Sequence, residues 1–345
     1  THRMSRGLPL YHGRETLRRG PAVAQETEAF RRDAGRLETK WRNAAMALVP
    51  FDDRDGFIWY DGAFVPWREA KLHVLSHGLH YASGVFEGER VYDGQIFKLK
   101  EHSERLVKSG QFLDMALPYT AEQIMEFSRE VAAANKIDNG YVRPLAWRGP
   151  EMMGIAAQAC KTHVAIACWE WPKYFFPKSG DNAGLALKTS QWRRCDPRTM
   201  PVQSKCAGIY AIGTMAKHEA DRAGFDDALM LDVHGRVAES SGANLFTVKN
   251  GIIRTPVPEC FLNGITRQTV IKLARDLGYT VEEAHIMPEE LKDVQEIFLT
   301  GTAAEIAPVS KIDDMLNIPI GPVTERLKAA YADLVRQKSP QTAVA

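Results

Sequence analysis

The amino-acid sequence predicts a mixed α/β fold in two domains. Strand-like segments joined by tight turns alternate with segments of helical periodicity in both halves of the chain. Between the halves, the stretch from Trp171 to Asn182 combines aromatic residues with Pro172, Pro177 and Gly180, a composition typical of a domain linker. With 345 residues, 45% of them hydrophobic, the chain is long enough for two domains. Hairpins mixed with helices argue against a βαβ wound sheet.

Residues 1–45 differ from the rest of the chain. They are Arg-rich, with ten basic and five acidic residues, and they offer few apolar side chains to bury. We expect them to form a mobile extension, with a polar helix between Glu26 and Arg42 as the alternative. The expected domains are therefore a small α/β domain at 46–176 and a larger domain at 177–345.

Two Asp-Gly pairs mark hairpins in the first half. Asp61-Gly62 separates two short β-rich segments, Gly56–Gly62 and Ala63–Trp67, and Asp93-Gly94 lies within a similar segment, Arg90–Phe97. Helical spacing and then β-rich composition predict two helices followed by two strands, at Lys100–Met115, Ala121–Asn135, Val142–Arg148 and Thr162–Trp169.

The second half begins with a strand and a helix and continues as a run of hairpins. The turns are His234-Gly235 and Asn250-Gly251, Gly224 is suited to end a helix, and Pro322 is suited to begin one. The expected elements in order are a strand at Leu185–Thr189, a helix after Lys205 to Arg222, strands at Ala228–Asp232, Arg236–Glu239 and Leu245–Lys249, a helix from Gly264 to Gly278, a strand at Glu296–Thr300, and a C-terminal helix.

Charge and cysteine content exclude several classes of protein. A formal net charge of +1 gives no overall attraction to nucleic acid or to an anionic membrane, and no apolar run approaches the length of a membrane span. The five cysteines form no CxxC pair, so we expect neither a disulfide framework nor a metal site, and a reducing cytoplasm is the expected location. The glycine motifs of Rossmann, P-loop and kinase folds and the G-x-S-x-G motif of hydrolases are all absent from the sequence.

Lys205 and Glu239 are the residues most suggestive of chemistry. Lys205 lies among small neutral residues in Gln203-Ser-Lys-Cys-Ala-Gly208, a setting in which an amine can be desolvated and become nucleophilic. Glu239 follows in Glu239-Ser-Ser-Gly-Ala-Asn244. A reactive lysine with a carboxylate and a tyrosine nearby is what the ring of pyridoxal 5'-phosphate (PLP) requires.

Six segments in order make the chain recognisable. They are His80–Arg90, Tyr141–Leu145, Pro201–Tyr210, Glu239–Phe246, Gly264–Arg267 and Gly301–Glu305. With these segments the chain resembles fold-type IV PLP enzymes, and more closely the branched-chain amino acid aminotransferases, from about Gly56 to the C-terminus. The resemblance implies a smaller N-terminal α/β domain and a larger C-terminal domain with a barrel-like mixed sheet. Cys206 departs from the alanine usual at its position, which suggests sensitivity to thiol reagents.

The resemblance also implies how the cofactor is bound. Lys205 would hold PLP covalently and move the proton, Glu239 would pair with the pyridine nitrogen, and Tyr210 would hydrogen-bond the phenolate oxygen. The phosphate would meet four further residues, which are Arg105, Ile265, Thr266 and Thr302.

A pocket for both an aliphatic side chain and a second carboxylate is implied as well. Tyr141, with Thr302 and Ala303, would hold the α-carboxylate, and Arg143, supported by Arg90, would meet the distal carboxylate of glutamate or 2-oxoglutarate. The remaining lining residues would be Tyr81, Phe86, Ile155, Trp171 and Tyr174.

The implied activity is transfer of the amino group of leucine, isoleucine or valine to 2-oxoglutarate by a ping-pong cycle. The partners would be these small molecules and a second copy of the chain, because the family builds its site at a dimer interface; a hexamer assembled from dimers is the alternative. Other reactions on the same fold are open, namely those of D-amino acid or (R)-amine transaminases and aminodeoxychorismate lyases. A PLP-binding protein without turnover is a more distant alternative.

Overall fold

The computed structural model describes residues 49–171 and 184–337. Residues 1–54 and 55–345 cluster as separate units, and the second unit is described below. The predicted helix between Glu26 and Arg42, the predicted linker and the expected domain boundary at 176/177 lie outside the described residues.

The strands before Trp171 form one antiparallel sheet. Its spatial order is β2-β1-β7-β6-β4-β5, and β3 also pairs with β6. Among the described residues these strands are β1 (Phe57–Tyr60), β2 (Ala63–Pro66), β3 (Gly84–Phe86), β4 (Glu89–Tyr92), β5 (Gln95–Ile96), β6 (Gly140–Arg148) and β7 (Thr162–Glu170).

Helices pack on this sheet. Before Trp171 they are α1 (His77–Tyr81), α2 (Leu99–Phe112) and α3 (Ala121–Ala134). At the start of α3 the Thr120 hydroxyl accepts from the Gln123 backbone N–H, and the Gln123 side chain accepts from the Thr120 N–H, a capping box that satisfies free helix donors. Leu106 of α2, Ile124 of α3, and Val142 and Ile166 of the sheet are fully buried in one apolar cluster. Burial of these side chains holds α2 and α3 on the sheet.

A second sheet follows residue 184 and closes on itself. The ring runs β10-β9-β8-β15-β14-β11 and returns to β10 through a pairing of Glu239 with Asn244. β12 and β13 extend it from β11, and β16 pairs with β15. The strands are β8 (Leu185–Arg194), β9 (Asp227–Asp232), β10 (Val237–Ser240), β11 (Asn244–Lys249), β12 (Ile252–Pro256), β13 (Val281–Ala284), β14 (Glu296–Gly301), β15 (Glu305–Ile312) and β16 (Leu316–Asn317).

The ring is a mixed barrel with a packed interior. β8 pairs in parallel with both β9 and β15, whereas the remaining neighbours in the ring are antiparallel. Leu187, Leu229, Leu245 and Leu299 come from four of its strands and are almost fully buried in one cluster. The barrel-like mixed sheet implied by the resemblance is confirmed.

Three helices accompany the barrel in the part of the chain described after residue 184. They are α4 (Tyr210–Arg222), α5 (Ile265–Asp276) and α6 (Pro322–Leu334). α4 lies between the parallel strands β8 and β9, so the second domain contains one strand–helix–strand crossover of the kind that parallel pairing requires. Within the described segments, no helix combines the length and apolar character needed to cross a membrane.

Candidate active site

Lys205 is held where the two sheets meet. Its carbonyl accepts from Phe86 N–H at 3.1 Å, and its own N–H donates to the Ser109 hydroxyl at 2.9 Å. The next residue, Cys206, is fully buried and forms an isolated bridge with Val85 of β3. The lysine backbone is therefore fixed on both sides by the first sheet and α2.

The amine of Lys205 faces a tyrosine hydroxyl. A single 3-10 turn, Ala207–Ile209, leads from the lysine into α4, whose first residue is Tyr210. Lys205 Nζ donates to the Tyr210 hydroxyl at 2.8 Å and also lies 5.0 Å from the centre of the Phe86 ring. The short connection brings the amine and the phenol together.

Glu239 is a buried carboxylate at the closing strand pair of the barrel. Asn244, directly opposite in β11, donates to Glu239 Oε2 at 3.0 Å, and Arg194 Nε lies 2.9 Å from Oε1 as an ion pair. Arg194 Nη2 also donates to the carbonyls of Ser240 and Ser241, which fixes the guanidinium. Burial raises the pKa of Glu239, and the positive charges of Arg194 and Lys205 oppose that rise.

Arg105 is anchored by a second buried carboxylate. From α2 it donates through Nε and Nη2 to the two oxygens of Glu87, at 2.6 and 2.8 Å, and His102 Nδ1 lies 2.7 Å from Glu87 Oε2. Glu87 is completely buried. Burial alone would raise the pKa of Glu87, but Arg105 and His102 hold it well below its ordinary value, so the pair is ionised.

The start of α5 supplies backbone donors. Gly264 precedes the helix, no side chain caps its first turn, and Ile265 and Thr266 line the cavity. Free N–H groups and the helix dipole favour an anion at this position. A Cβ at Gly264 would collide with the Asn244 side chain, so glycine allows the helix to begin beside the residue that bonds Glu239.

The turn between β14 and β15 adds a further edge. Thr302 and Ala303 stand in it and line the cavity, beside Thr300 at the end of β14. The Thr300 hydroxyl is buried and has no hydrogen-bond partner in the described part of the protein.

The remaining wall combines aromatic rings with one arginine. Tyr141 and Arg143 alternate along β6, and Arg143 Nη2 donates to the Tyr141 hydroxyl at 3.2 Å. The Arg143 guanidinium also lies 4.8 Å from the centre of the Phe86 ring, and Trp171 packs on Tyr141 at 4.7 Å between centroids. Gly88 lies beneath the Tyr141 hydroxyl, where a Cβ would collide with it.

These groups surround one cavity of about 430 Å³. The sequence-predicted residues that line it together are Phe86, Arg105, Tyr141, Arg143, Trp171, Lys205, Tyr210, Glu239, Ile265, Thr266, Thr302 and Ala303.

Four sequence-predicted residues are not among the residues that line it. Tyr81 and Ile155 are 41% and 86% exposed on the surface. Arg90 pairs with Tyr141 across the first sheet without lining the cavity. Tyr174 lies outside the described residues.

Sequence reasoning missed four residues of the site. Gly88, Glu87 and Asn244 stand inside the motifs that carried the resemblance, so their motif positions were a usable signal. Arg194 lies at the far end of β8, and nothing in its local sequence indicated contact with Glu239.

Comparison with known proteins agrees with this site. Residues 84–312, about two thirds of the chain, match the family Amino-transferase class IV. The chain belongs to the class IV aminotransferases. This assignment makes it an enzyme of that family and accounts for a lysine, a tyrosine and a carboxylate gathered in one cavity.

Relatives within the family carry more specific names. A branched-chain-amino-acid aminotransferase of Pseudomonas aeruginosa is 42% identical over 297 residues, which is 83% of this chain and 95% of the relative. The solved branched-chain aminotransferase of the thermophilic archaeon Thermoproteus uzoniensis, with norvaline, is 37% identical, with a TM-score of 0.79 over 84% of this chain and 97% of the other. A further solved branched-chain amino acid aminotransferase, its source abbreviated T.th., contains pyridoxamine 5'-phosphate. It is 42% identical, with a TM-score of 0.79 over 84% of this chain and 96% of the other.

Proposed function

We propose that this class IV aminotransferase moves the amino group of leucine, isoleucine or valine to 2-oxoglutarate, using PLP in a ping-pong cycle. The observation that carries the proposal is the cavity in which Lys205 Nζ donates to Tyr210 while Arg143 stands among aromatic rings. The names of the relatives at about 40% identity support the choice of branched-chain substrates.

The residues of the cavity fit PLP. One buried nitrogen of Arg105, Nη1, and the buried hydroxyl of Thr300 have no hydrogen-bond partner among the described residues, so donors are available for a phosphate. Ile265 and Thr266 add helix N–H groups and Thr302 adds a hydroxyl and an N–H at the same cavity. Buried Glu239 suits the pyridine nitrogen, and Tyr210 the phenolate oxygen.

PLP, when bound, supplies an electron sink that stabilises negative charge at the substrate's α carbon. Lys205 would hold it covalently, and the freed amine would then take the proton from the α carbon. Arg194 keeps the Glu239 carboxylate in place, so that this side chain can hold a proton on the pyridine nitrogen. Tyr210 holds the amine of Lys205 within the cavity.

Substrate selection would fall to the wall of β6. Phe86, Tyr141 and Trp171 offer apolar area to an aliphatic side chain. Tyr141 with the Thr302-Ala303 turn would hold the α-carboxylate, and Arg143 would meet the distal carboxylate of the second substrate.

We place Tyr81 and Ile155 in the site of a second copy. Both are exposed in one chain and neither lines its cavity, although the resemblance assigns both to the substrate pocket. Leu72, Val74 and Leu79 nearby are exposed apolar residues that a partner subunit would cover. The working form would then be a homodimer, or a hexamer built from dimers. All five cysteines are free, as suits the reducing cytoplasm in which we place the enzyme.

A donor panel tests the substrate assignment. Leucine, isoleucine and valine, D-alanine, an (R)-amine and L-glutamate are each offered with an oxo acid acceptor, and product formation is followed with a coupled assay. Branched-chain donors should give the highest kcat/KM with 2-oxoglutarate. Preference for a D-amino acid or an amine, or pyruvate release from aminodeoxychorismate, would replace the proposal with the corresponding alternative.

Hybrid dimers test the shared site. Lys205→Ala and Ile155→Asp chains should each be inactive alone. A mixed dimer would contain one intact composite site, so co-expression should restore roughly a quarter of wild-type activity. No recovery in verified mixed dimers would place Ile155 in its own chain's site or outside any site.

A further inference from the structure

Arg105 is held in an unusual way for a residue that faces a cavity. Two of its three guanidinium nitrogens, Nε and Nη2, donate to one carboxylate, that of Glu87, at 2.6 and 2.8 Å. The third nitrogen, Nη1, is buried and has no partner among the described residues. The side chain is 15% exposed, and its residue lines the cavity.

Glu87 is in turn fixed and does not itself line the cavity. It is fully buried, His102 of α2 donates to its Oε2 from Nδ1 at 2.7 Å, and its own N–H donates to the Pro144 carbonyl at 2.8 Å. Burial lowers the pKa of His102, so the neutral imidazole donates one proton to the carboxylate. Because a bidentate fork sets both the position and the plane of a guanidinium, Glu87 determines where Nη1 lies.

We propose that Glu87 is the positioning residue for the phosphate of the cofactor: it holds Nε and Nη2 of Arg105 and leaves Nη1 for the phosphate. This inference rests on the proposed use of PLP and adds a residue to it. Glu87 acts only through Arg105.

Geometry and charge predict opposite signs for Glu87→Gln. The substitution removes a negative charge near a dianion, so a purely electrostatic role predicts tighter PLP binding. A positioning role predicts weaker binding, because glutamine accepts through one oxygen and releases the fork. Losing one well-placed charge-assisted hydrogen bond should raise the dissociation constant of PLP by about 10- to 100-fold.

Glu89 provides a matched control two residues along. It is also fully buried, and neither of its carboxylate oxygens has a hydrogen-bond partner in the described part of the chain. Glu89→Gln is the same chemical change without a contact to Arg105, so it should leave PLP binding within about twofold of wild type.

The experiment measures equilibrium binding of PLP, pyridoxamine 5'-phosphate and phosphate-free pyridoxal to the full chain by absorbance and fluorescence. In Glu87→Gln both phosphate-bearing ligands should bind more weakly and pyridoxal should be unchanged. In an Arg105→Lys background the Glu87→Gln change should have almost no further effect, since the fork no longer exists.

A second variant guards against loss of folding. Glu87→Asp retains the charge that offsets Arg105 but shortens the side chain by one methylene, and thermal unfolding verifies that it is folded. It too should weaken PLP and spare pyridoxal. Unchanged or tighter PLP binding in either folded variant, or an equal loss for pyridoxal, would overturn the inference. Failure of the wild-type protein to bind PLP would instead overturn the proposed function.

Discussion

Arg143→Met should separate the two halves of the proposed reaction. Arg143 has aromatic neighbours, with Phe86 4.8 Å from its guanidinium and the Tyr141 hydroxyl 3.2 Å from Nη2. Its Nε is buried and has no partner in the described part of the protein, so the group retains a donor for a ligand. Methionine fills most of the same volume and packs on Phe86, but it offers no donor to a carboxylate.

The size of the effect follows from what each substrate loses. The dicarboxylate loses charge-assisted hydrogen bonds worth about 1.5–3 kcal/mol each and is left with a poorly paired buried charge. We therefore expect a loss of about 2–4 kcal/mol, or roughly 30- to 1,000-fold in kcat/KM, in the half-reaction with glutamate or 2-oxoglutarate. The leucine half-reaction loses only the packing of the cation on Phe86, about 0.5–1 kcal/mol, or less than about sixfold.

Stopped-flow measurement of the two half-reactions provides the test. Arg143→Lys is the matched control: it retains a positive charge without the planar fork, so its glutamate half-reaction should fall between wild type and Arg143→Met. An equal loss with leucine and glutamate would refute the reasoning, because it would make Arg143 a structural residue. The distal carboxylate would then be met elsewhere, with Arg90 as the next residue to change.

Three further predictions concern the cofactor link, the N-terminal residues and a buried acid. Lys205→Ala should lose both the visible absorbance of protein-bound PLP and transamination, and a borohydride-reducible adduct in this variant would contradict the role of Lys205. A chain starting at Met46 should retain nearly full activity, because residues 1–45 contain few apolar side chains; loss of activity or of the oligomer on truncation would count against it. Burial, reinforced by Glu87, raises the pKa of Glu89 well above 4.5, so the folded protein retains a proton that the unfolded chain has released. Stability is then lost as pH rises through that window, by up to about 1.4 kcal/mol per pH unit. The gain in thermal stability of Glu89→Gln should be near zero at pH 4 and grow toward pH 7, and a gain independent of pH would contradict this.

Features encoded by local sequence were predictable. At the first hairpin Asp61 has a φ of +48° and Gly62 of +99°, the left-handed pair that an Asp-Gly turn favours, and it joins β1 to β2 as expected. The pattern around Pro322 likewise placed the start of α6 at its true residue. In both cases the residues that decide the structure are adjacent in the chain.

Features that depend on distant partners were not predictable. β15 was missed because Pro308 disfavours a central strand, yet β15 pairs with β14 on one side and β8 on the other, with a register shift after Val309. Arg105 taken alone looked like a solvated helix charge, and only the fold brings Glu87 onto it. Cys206 was expected to react with thiol reagents, but its complete burial against the first sheet argues against access.

The same distant pairings explain how one cavity can serve unlike substrates. Glu239 is fixed by Arg194 and Asn244, and Arg105 by Glu87, through contacts that the protein makes with itself. Each buried charge is therefore compensated before any ligand binds, and its geometry does not depend on which amino acid is present. Changes to these residues should consequently slow the leucine and glutamate half-reactions by the same factor. Discrimination between the substrates is left to the wall of β6, where Arg143 is the cation that a dicarboxylate uses and an aliphatic side chain does not.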